Sequence, residues 1–481
     1  MANEYEAVVV GAGPNGLTAA ARIARAGRRV LVLEAAARIG GGVASDVDAL
    51  DGVVRDVCSS VHPFGAASPA FRELGLDRHG LEWLHAPIAL AHPLEGRGAA
   101  VLDRDLDASA ATLGADAARW KRRFGRLARH WDALVDSFFA PLWPVPRRPL
   151  AAARFGASAI QPATRLAANF DGDAAPALFA GVAAHTAIPL ERLGTSGPGL
   201  LLGAAGVAVG WPVARGGSQA IADALAAIVR EGGGEIVTGN RVTALEQLPP
   251  AGAVLFDVSP RQLVDLAGDR LPGRYRSALL RFRPGAGACK IDYALREPVP
   301  WADPACRTAA TVHLGGTLLE IAAAEQLVAR GVVPERPFVL CGQPSVADPS
   351  RAPDGRHAFW AYCHVPQSVD FTGAALDDAV ASIEAQIEAA APGFKDVVAA
   401  RAVLGPVELE RHNANLHGGD FSAGALDLRQ LLFRPVARRD PYRTPIDGVY
   451  LCSASTPPGP GAHGMCGWHA AGRAFAQSLR E

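Results

Sequence analysis

The sequence predicts an α/β fold, α+β overall. A nucleotide-binding domain is assembled from both ends of the chain, and a second domain of mixed antiparallel sheet and helices lies between them. Three observations predict this. An apolar run, a Gly-rich turn and an amphipathic helix open the chain from Tyr5 to Ala24. The same strand–loop–helix grammar closes it, from Val449 through a Gly/Pro loop to an Ala-rich end. Between 284 and 363, short apolar runs separated by turn signals read as strands instead.

Tyr5–Val10 is long enough for a buried strand, and Gly11-Ala-Gly13-Pro14-Asn15-Gly16 follows at once. Leu17, Ala20, Ile23 and Ala24 are spaced for one helix face. Arg29–Leu33 is the second strand, and Glu34 ends it. In such a Rossmann-type unit Gly11 allows the tight turn, Gly13 lets backbone approach a pyrophosphate, and Gly16 lets helix pack on strand. The helix N-terminus presents N–H groups to phosphate. Glu34 stands where a carboxylate can accept from ribose hydroxyls.

After Glu34 the chain reads Ala35-Ala-Ala-Arg38-Ile-Gly40-Gly41-Gly42. This is similar to the glycine doublet of flavoproteins such as amine oxidases and carotenoid desaturases, which continues the pyrophosphate cradle of FAD. Their usual arginine after the doublet is Gly42 here, so Arg38 is the expected cation of the loop. The expected cofactor is FAD, held non-covalently.

The chain has 481 residues, enough for two or three domains and a large core. Its 47 basic and 48 acidic residues give a net charge of −1, so no basic field points to nucleic acid. The seven cysteines form no C-x-x-C pair, which argues against a zinc site or redox dithiol. Their odd, scattered count fits a reducing cytoplasm, the expected location. No signal peptide is expected before the first strand. The longest apolar stretch, Gly197–Gly210, is too short to span a bilayer, which leaves peripheral membrane contact open. Only Lys121, Lys290 and Lys395 are lysine, against a background of arginine.

In the middle, Ala110–Phe139 reads as a helix whose Trp120, Phe124, Leu127, Trp131 and Leu134 form a packed face rather than a ligand box. Four prolines from Pro141 to Pro149 break it. Gly203–Gly210 reads as an apolar, flexible stretch, either a channel lining or a buried segment. Gly216-Gly217-Ser218 opens a clear helix, capped by Ser218, with Ile221, Leu225, Ile228 and Val229 on one face. Glu235–Thr238, Arg241–Leu245 and Ala253–Asp257 read as strands. Residues 288–295, 307–313, 337–341 and 358–363 read as an antiparallel sheet, and Leu376–Ala391 as a helix. The expected domains are 1–65, 212–270 and 405–481 for the cofactor, and 66–211 and 271–404, with a helical subregion, for substrate.

Several of these motifs together resemble phytoene desaturase-like FAD oxidoreductases: the opening glycines, Gly40-Gly41, Gly216-Gly217, and Tyr450-Leu-Cys-Ser-Ala-Ser-Thr456-Pro-Pro-Gly459. His412–Asp420, Phe433-Arg434-Pro435, Tyr442–Pro445 and His463–His469 resemble one branch, the pyridine nucleotide-disulfide oxidoreductase domain-containing protein 2 group. The resemblance implies a two-dinucleotide-binding-domain flavoprotein. It places the isoalloxazine near the C-terminal loop and the Gly216-Gly217 turn, and a backbone contact to adenine near Val242. It further implies ribityl contacts from Ser455, and a helix from Gly464-Met465 whose positive end faces the flavin pyrimidine.

In flavin amine oxidases a substrate-domain lysine holds water at flavin N5. The run from Gly287 through Lys290 to Trp301 resembles its context, so Lys290 is a candidate catalytic residue; alternatively it pairs Asp292 or Glu297 at the sheet surface. His463, beside the expected ring, is either an acid/base or a turn cap. Cys452 and Cys466 read as small buried residues. No metal site stands out. The expected reaction is desaturation, saturation or isomerisation of carbon–carbon bonds in an apolar small molecule. Oxygen, a quinone or NAD(P) would accept the electrons. Amine oxidation and a flavin-bound assembly protein are the alternatives, and an oligomer is open.

Overall fold

The computed structural model describes residues 5–140 and 149–479. Two sheets organise the chain. Their strands are β1 Ala7–Val10, β2 Val30–Leu33, β3 Ile88–Leu94, β4 Arg97–Leu102, β5 Glu235–Val237, β6 Ala253–Phe256, β7 Gly287–Leu295, β8 Ala309–Leu314, β9 Val339–Gly342, β10 His357–Val365, β11 Val398–Leu404 and β12 Val449–Leu451. The first sheet has the order β12-β6-β1-β2-β5 and is parallel throughout. It draws strands from the start, middle and end of the chain. Its central strand reads Ala-Val-Val-Val and is fully buried, as a parallel strand covered on both faces must be.

Alternation on β1 divides two cores. Ala7 and Val9 face helices α1 (Pro14–Arg25), α4 (Gln219–Glu231) and α6 (Met465–Gln477), through Leu17, Ile221, Leu225 and Ala471. Val8 and Val10 face Leu263, Leu271, Tyr275 and Leu279. Phe71, Leu74, Leu76 and Leu81 join the first of these cores. The first sheet therefore gathers chain on both sides of the 65/66 and 270/271 boundaries.

The second sheet has the order β11-β7-β10-β9-β8-β3-β4; every pair is antiparallel except β8 with β3. Cys289, Ile291, Tyr293 and Leu295 turn one face onto Ile383 and Ile387 of helix α5 (Ala374–Ala390). The opposite face carries Leu340 and Trp360 under helices α2 (Ala174–Ala183) and α3 (Ser196–Ala208).

Several expectations need correction. Arg241–Leu245 is not a strand; its chain runs irregularly into a short 3₁₀ turn at Leu245–Gln247. The helix expected over 110–139 breaks at Gly114–Asp116 and His130, although Trp120 and Phe124 are packed as expected. The proline break lies outside the described residues up to 148. Gly203–Gly210 is not a flexible run: its first half is the buried C-terminal part of α3. A Cβ at Gly203 would stand 2.4 Å from the Phe124 ring, so glycine there permits close helix packing. Ser218 stands at the N-cap of α4, but its hydroxyl donates to Ser59 O at 2.7 Å and meets His62 instead of capping. No helix among the described residues is long and apolar enough to cross a membrane.

Candidate functional site

The β1–α1 turn and the glycine doublet form one cradle. The Gly40 amide donates to Ala12 O at 2.9 Å and stitches the doublet to the turn. A Cβ on Gly41 would come within 3.1 Å of Gly13 Cα, and a Cβ on Gly13 within 2.8 Å of Asp257 Oδ2. Glu34 caps the end of β2 by accepting from the Ala12 and Ala36 amides at 2.6 and 2.8 Å. Asn15 is buried at the head of α1, and its Oδ1 has no hydrogen-bond partner among the described residues.

A cavity of about 550 Å³ starts here, lined by Gly13, Pro14, Asn15 and Gly42. It passes the C-terminal loop at Ser453–Ser455 and Pro460–Ala462, then crosses the second sheet. There, register places Lys290 opposite Tyr362, Tyr362 opposite Leu340, and Leu340 opposite His313. All four line the cavity. Directly opposed residues share a face, so this row is its floor.

Lys290 is not at the sheet surface. It is 5% exposed, and its Nζ donates to Asp56 O at 2.9 Å and to Asp292 Oδ1. The pairing with Asp292 and a position on the cavity wall are both present. Asp56 is the anchor behind it: its carboxylate accepts from Ser45, Ser60, the Ser218 amide and Arg351. Burial works against its charge, but Arg351 and these hydrogen bonds hold its carboxyl well below the usual range.

His463 caps rather than lines. Its Nδ1 accepts from the Met465 amide at 3.0 Å, and burial pushes its pKa down to about 3. Neither His463, Gly464 nor Met465 lines the cavity. The positive end expected at α6 is therefore partly taken up by its own preceding residue.

The family model described as NAD(P)-binding Rossmann-like domain matches residues 9–74. Pyridine nucleotide-disulfide oxidoreductase domain-containing protein 2 of Rattus norvegicus is 28% identical, over 97% of this chain and 93% of its own. An oxidoreductase structure from Methanosarcina mazei aligns with a TM-score of 0.62 at 16% identity, covering 96% of this chain and 97% of that one. Putrescine oxidase bound to putrescine aligns at 0.61 and 17%, covering 98% of both chains. Over nearly its whole length the chain is similar to pyridine nucleotide-disulfide oxidoreductase domain-containing protein 2, and it shares the fold of these oxidoreductase structures.

The residues fit FAD at the cradle, where Gly13 leaves the backbone open beside Asp257 and Asn15 Oδ1 lacks a partner among the described residues. Gly13, Pro14, Asn15, Gly42, Lys290 and Ser455 line the cavity; Gly11, Gly16, Glu34, Gly40 and Gly41 shape the turn behind it. Others do not gather there. Arg38 and Ala35 are exposed on the loop after β2. Val242 packs behind the first sheet. The Gly216-Gly217 turn does not line the cavity: Gly217 packs on Ser45, and the Gly216 amide donates to Asp348 at 2.7 Å. Cys452 and Cys466 are buried, and burial pushes the Cys466 thiol up to about 11.

Sequence reasoning missed Asp257, Asn415 and the sheet-floor residues. Asp257 Oδ2 accepts the Gly16 amide at 2.8 Å inside the cradle. Asn415 accepts from the Ser259 amide at 2.6 Å and donates to Asp257 O at 2.9 Å, fixing the loop after β6. Its signal was present in the His412–Asp420 motif, to which no contact had been attached. Nothing local in the sequence marks Tyr362 or His313; only strand register aligns them with Lys290.

Proposed function

We propose that this oxidoreductase desaturates, saturates or isomerises carbon–carbon bonds of an apolar small molecule. The observation that carries the reading is the wall of the cavity beyond Lys290, formed by Phe64, Phe138, Leu201, Leu202, Trp211 and Leu340. The acids lining the cavity are Asp257 and Asp420. Asp257 stands in the cradle, and Asp420 accepts from the amides of Gly285, Ser422 and Gly424. Among the described residues a substrate ammonium would meet the Lys290 side chain and no available carboxylate. Apolar substrate is held instead by burial of its surface.

FAD supplies hydride or electron transfer when bound. The chain's residues bind and orient it, exclude water through the aromatic wall, and hold a hydrogen-bond donor at Lys290 Nζ. In desaturation the electrons would pass to oxygen, a quinone or NAD(P)+; saturation would instead draw them from a reduced donor such as NAD(P)H, and isomerisation needs no net acceptor.

A second reading, amine oxidation, is favoured by one observation. The rings of Trp360 and Tyr362 stack at 6.0 Å and 24° beside Lys290, a surface that a cation can use. Anaerobic mixing of the holoprotein with polyenes and with amines separates the two. Flavin bleaching by polyenes supports the first, and bleaching by amines alone supports the second. Bound FAD that no compound reduces supports an assembly protein with little catalysis.

A further inference from the structure

The cavity floor is not apolar to its end. His185 and His313 meet there, Nε2 to Nε2 at 3.2 Å, with Trp211 edge-on to His185 at 5.6 Å and 88°. His313 is fully buried, whereas His185 is partly open, and His185 lines the cavity. His185 lines the cavity with its Nε2 engaged by His313, and its Nδ1 makes no hydrogen bond with the described residues. Two histidines are an unusual end for a chamber walled by Leu201, Leu202 and Trp211.

We propose that the His185–His313 pair binds one neutral oxygen group, a hydroxyl or ketone, carried by the apolar substrate at its end remote from the flavin. The proposal rests on the reading that an apolar substrate occupies this cavity. The pairing fixes the imidazole of His185, and Nδ1 is a donor or an acceptor according to tautomer, so it suits either oxygen. Burial pushes the pKa of His185 down to about 3 and that of His313 well below its ordinary value, so both rings are neutral.

The surrounding charges exclude the alternatives. The nearby His92 is also pushed down, to about 4, by burial. Glu325 is engaged with His364 at 2.8 Å and does not line the cavity. Lys290 stands three strands away along the floor, about 14 Å at the usual strand spacing. Among the described residues a carboxylate would find no cation at the histidine end, and an ammonium no acid.

The test is titration of the holoprotein with 1-octene, 1-octanol, 2-octanone, octanoate and octylamine. It is read by the bound-flavin spectrum and by fluorescence of the cavity tryptophans Trp211 and Trp360. The expected result is that 1-octanol or 2-octanone binds at least about tenfold more tightly than the other three, as a site built to bond oxygen rejects a ligand lacking it. His185→Phe should bring the oxygenated compounds down to 1-octene and leave 1-octene unchanged. His185→Asn should keep part of the preference, and it serves if the phenylalanine variant does not fold. Equal binding of 1-octene and 2-octanone, or a preference that survives in His185→Phe, overturns the proposal alone. Tight binding of octylamine without 1-octene or 1-octanol, or binding of none of the five, overturns the apolar-substrate reading as well.

Discussion

Asp257 Oδ2 accepts the amide hydrogen of Gly16 at 2.8 Å, inside the turn that receives a diphosphate. Burial raises its pKa, the Gly16 amide lowers it and Glu34 raises it again, with a net value of about 7. An acid raised in the folded state stabilises the fold when protonated. That contribution is present below the unfolded pKa and lost as pH rises through about 7. A neutral Asp257 also repels an anionic diphosphate less. FAD affinity should fall about tenfold as pH rises across neutrality, roughly 1.4 kcal/mol. Asp257→Asn should flatten the profile. Equilibrium dialysis across the range checks it, and an unchanged slope in the variant removes Asp257 as the cause.

Gly13→Val should abolish FAD binding. The Cβ alone would stand 2.8 Å from Asp257 Oδ2, and the branched methyls would fill the phosphate path. Glu34→Ala should cost less, about 1.5–3 kcal/mol, the value of a charge-assisted hydrogen bond. Full FAD occupancy of purified Gly13→Val would contradict this assignment of the cradle.

FAD should be released completely by acid precipitation. Cys58 is the cysteine lining the cavity, and burial pushes its thiol up to about 12, so little nucleophilic thiolate is available for a covalent link. Yellow colour remaining in the pellet would show linkage.

The first sheet was legible because its signals are local: a strand, a glycine turn and a helix lie together at each end of the chain, and the strands at 235–237 and 253–256 follow a clear Gly-capped helix. The cavity floor was not. Lys290, Tyr362, Leu340 and His313 come from four strands and meet only through register. Arg38 was expected to take the cation's place because it was the nearest arginine in sequence, yet it stands exposed. Gly216-Gly217 was expected at the ring, but Ser45 and Asp348 hold it away from the cavity. Composition marks a turn without saying what the turn packs on.

Arg351 and Asp56 form a fully buried pair at 2.8 Å between segments far apart in sequence. Removing one partner strands a charge in the interior. Arg351→Leu should therefore destabilise the protein by about 3–5 kcal/mol. Denaturant unfolding measures the loss. A change below about 1 kcal/mol would mean that water reaches Asp56 and the pair is not dry.

Lys290 carries two separable roles, and one pair of variants distinguishes them. Lys290→Met removes the cation beside Asp292, whose remaining cationic neighbour is Arg55 at 3.6 Å. Stability should fall by up to about 3 kcal/mol, the low end for a broken buried pair, because Arg55 offsets part of the charge. Adding Asp292→Asn removes the stranded carboxylate and should restore most of that loss. If Lys290 Nζ also positions water or substrate at the flavin, both the single and the double variant should show flavin reduction or reoxidation slowed at least about tenfold, roughly 1.4 kcal/mol of barrier. Lys290→Arg should not rescue the rate, since a planar fork cannot replace a compact ammonium. Stopped-flow measurement of the two half-reactions decides it. Lost stability with unchanged rates would leave Lys290 as the partner of Asp292 and Asp56, with no part in the chemistry.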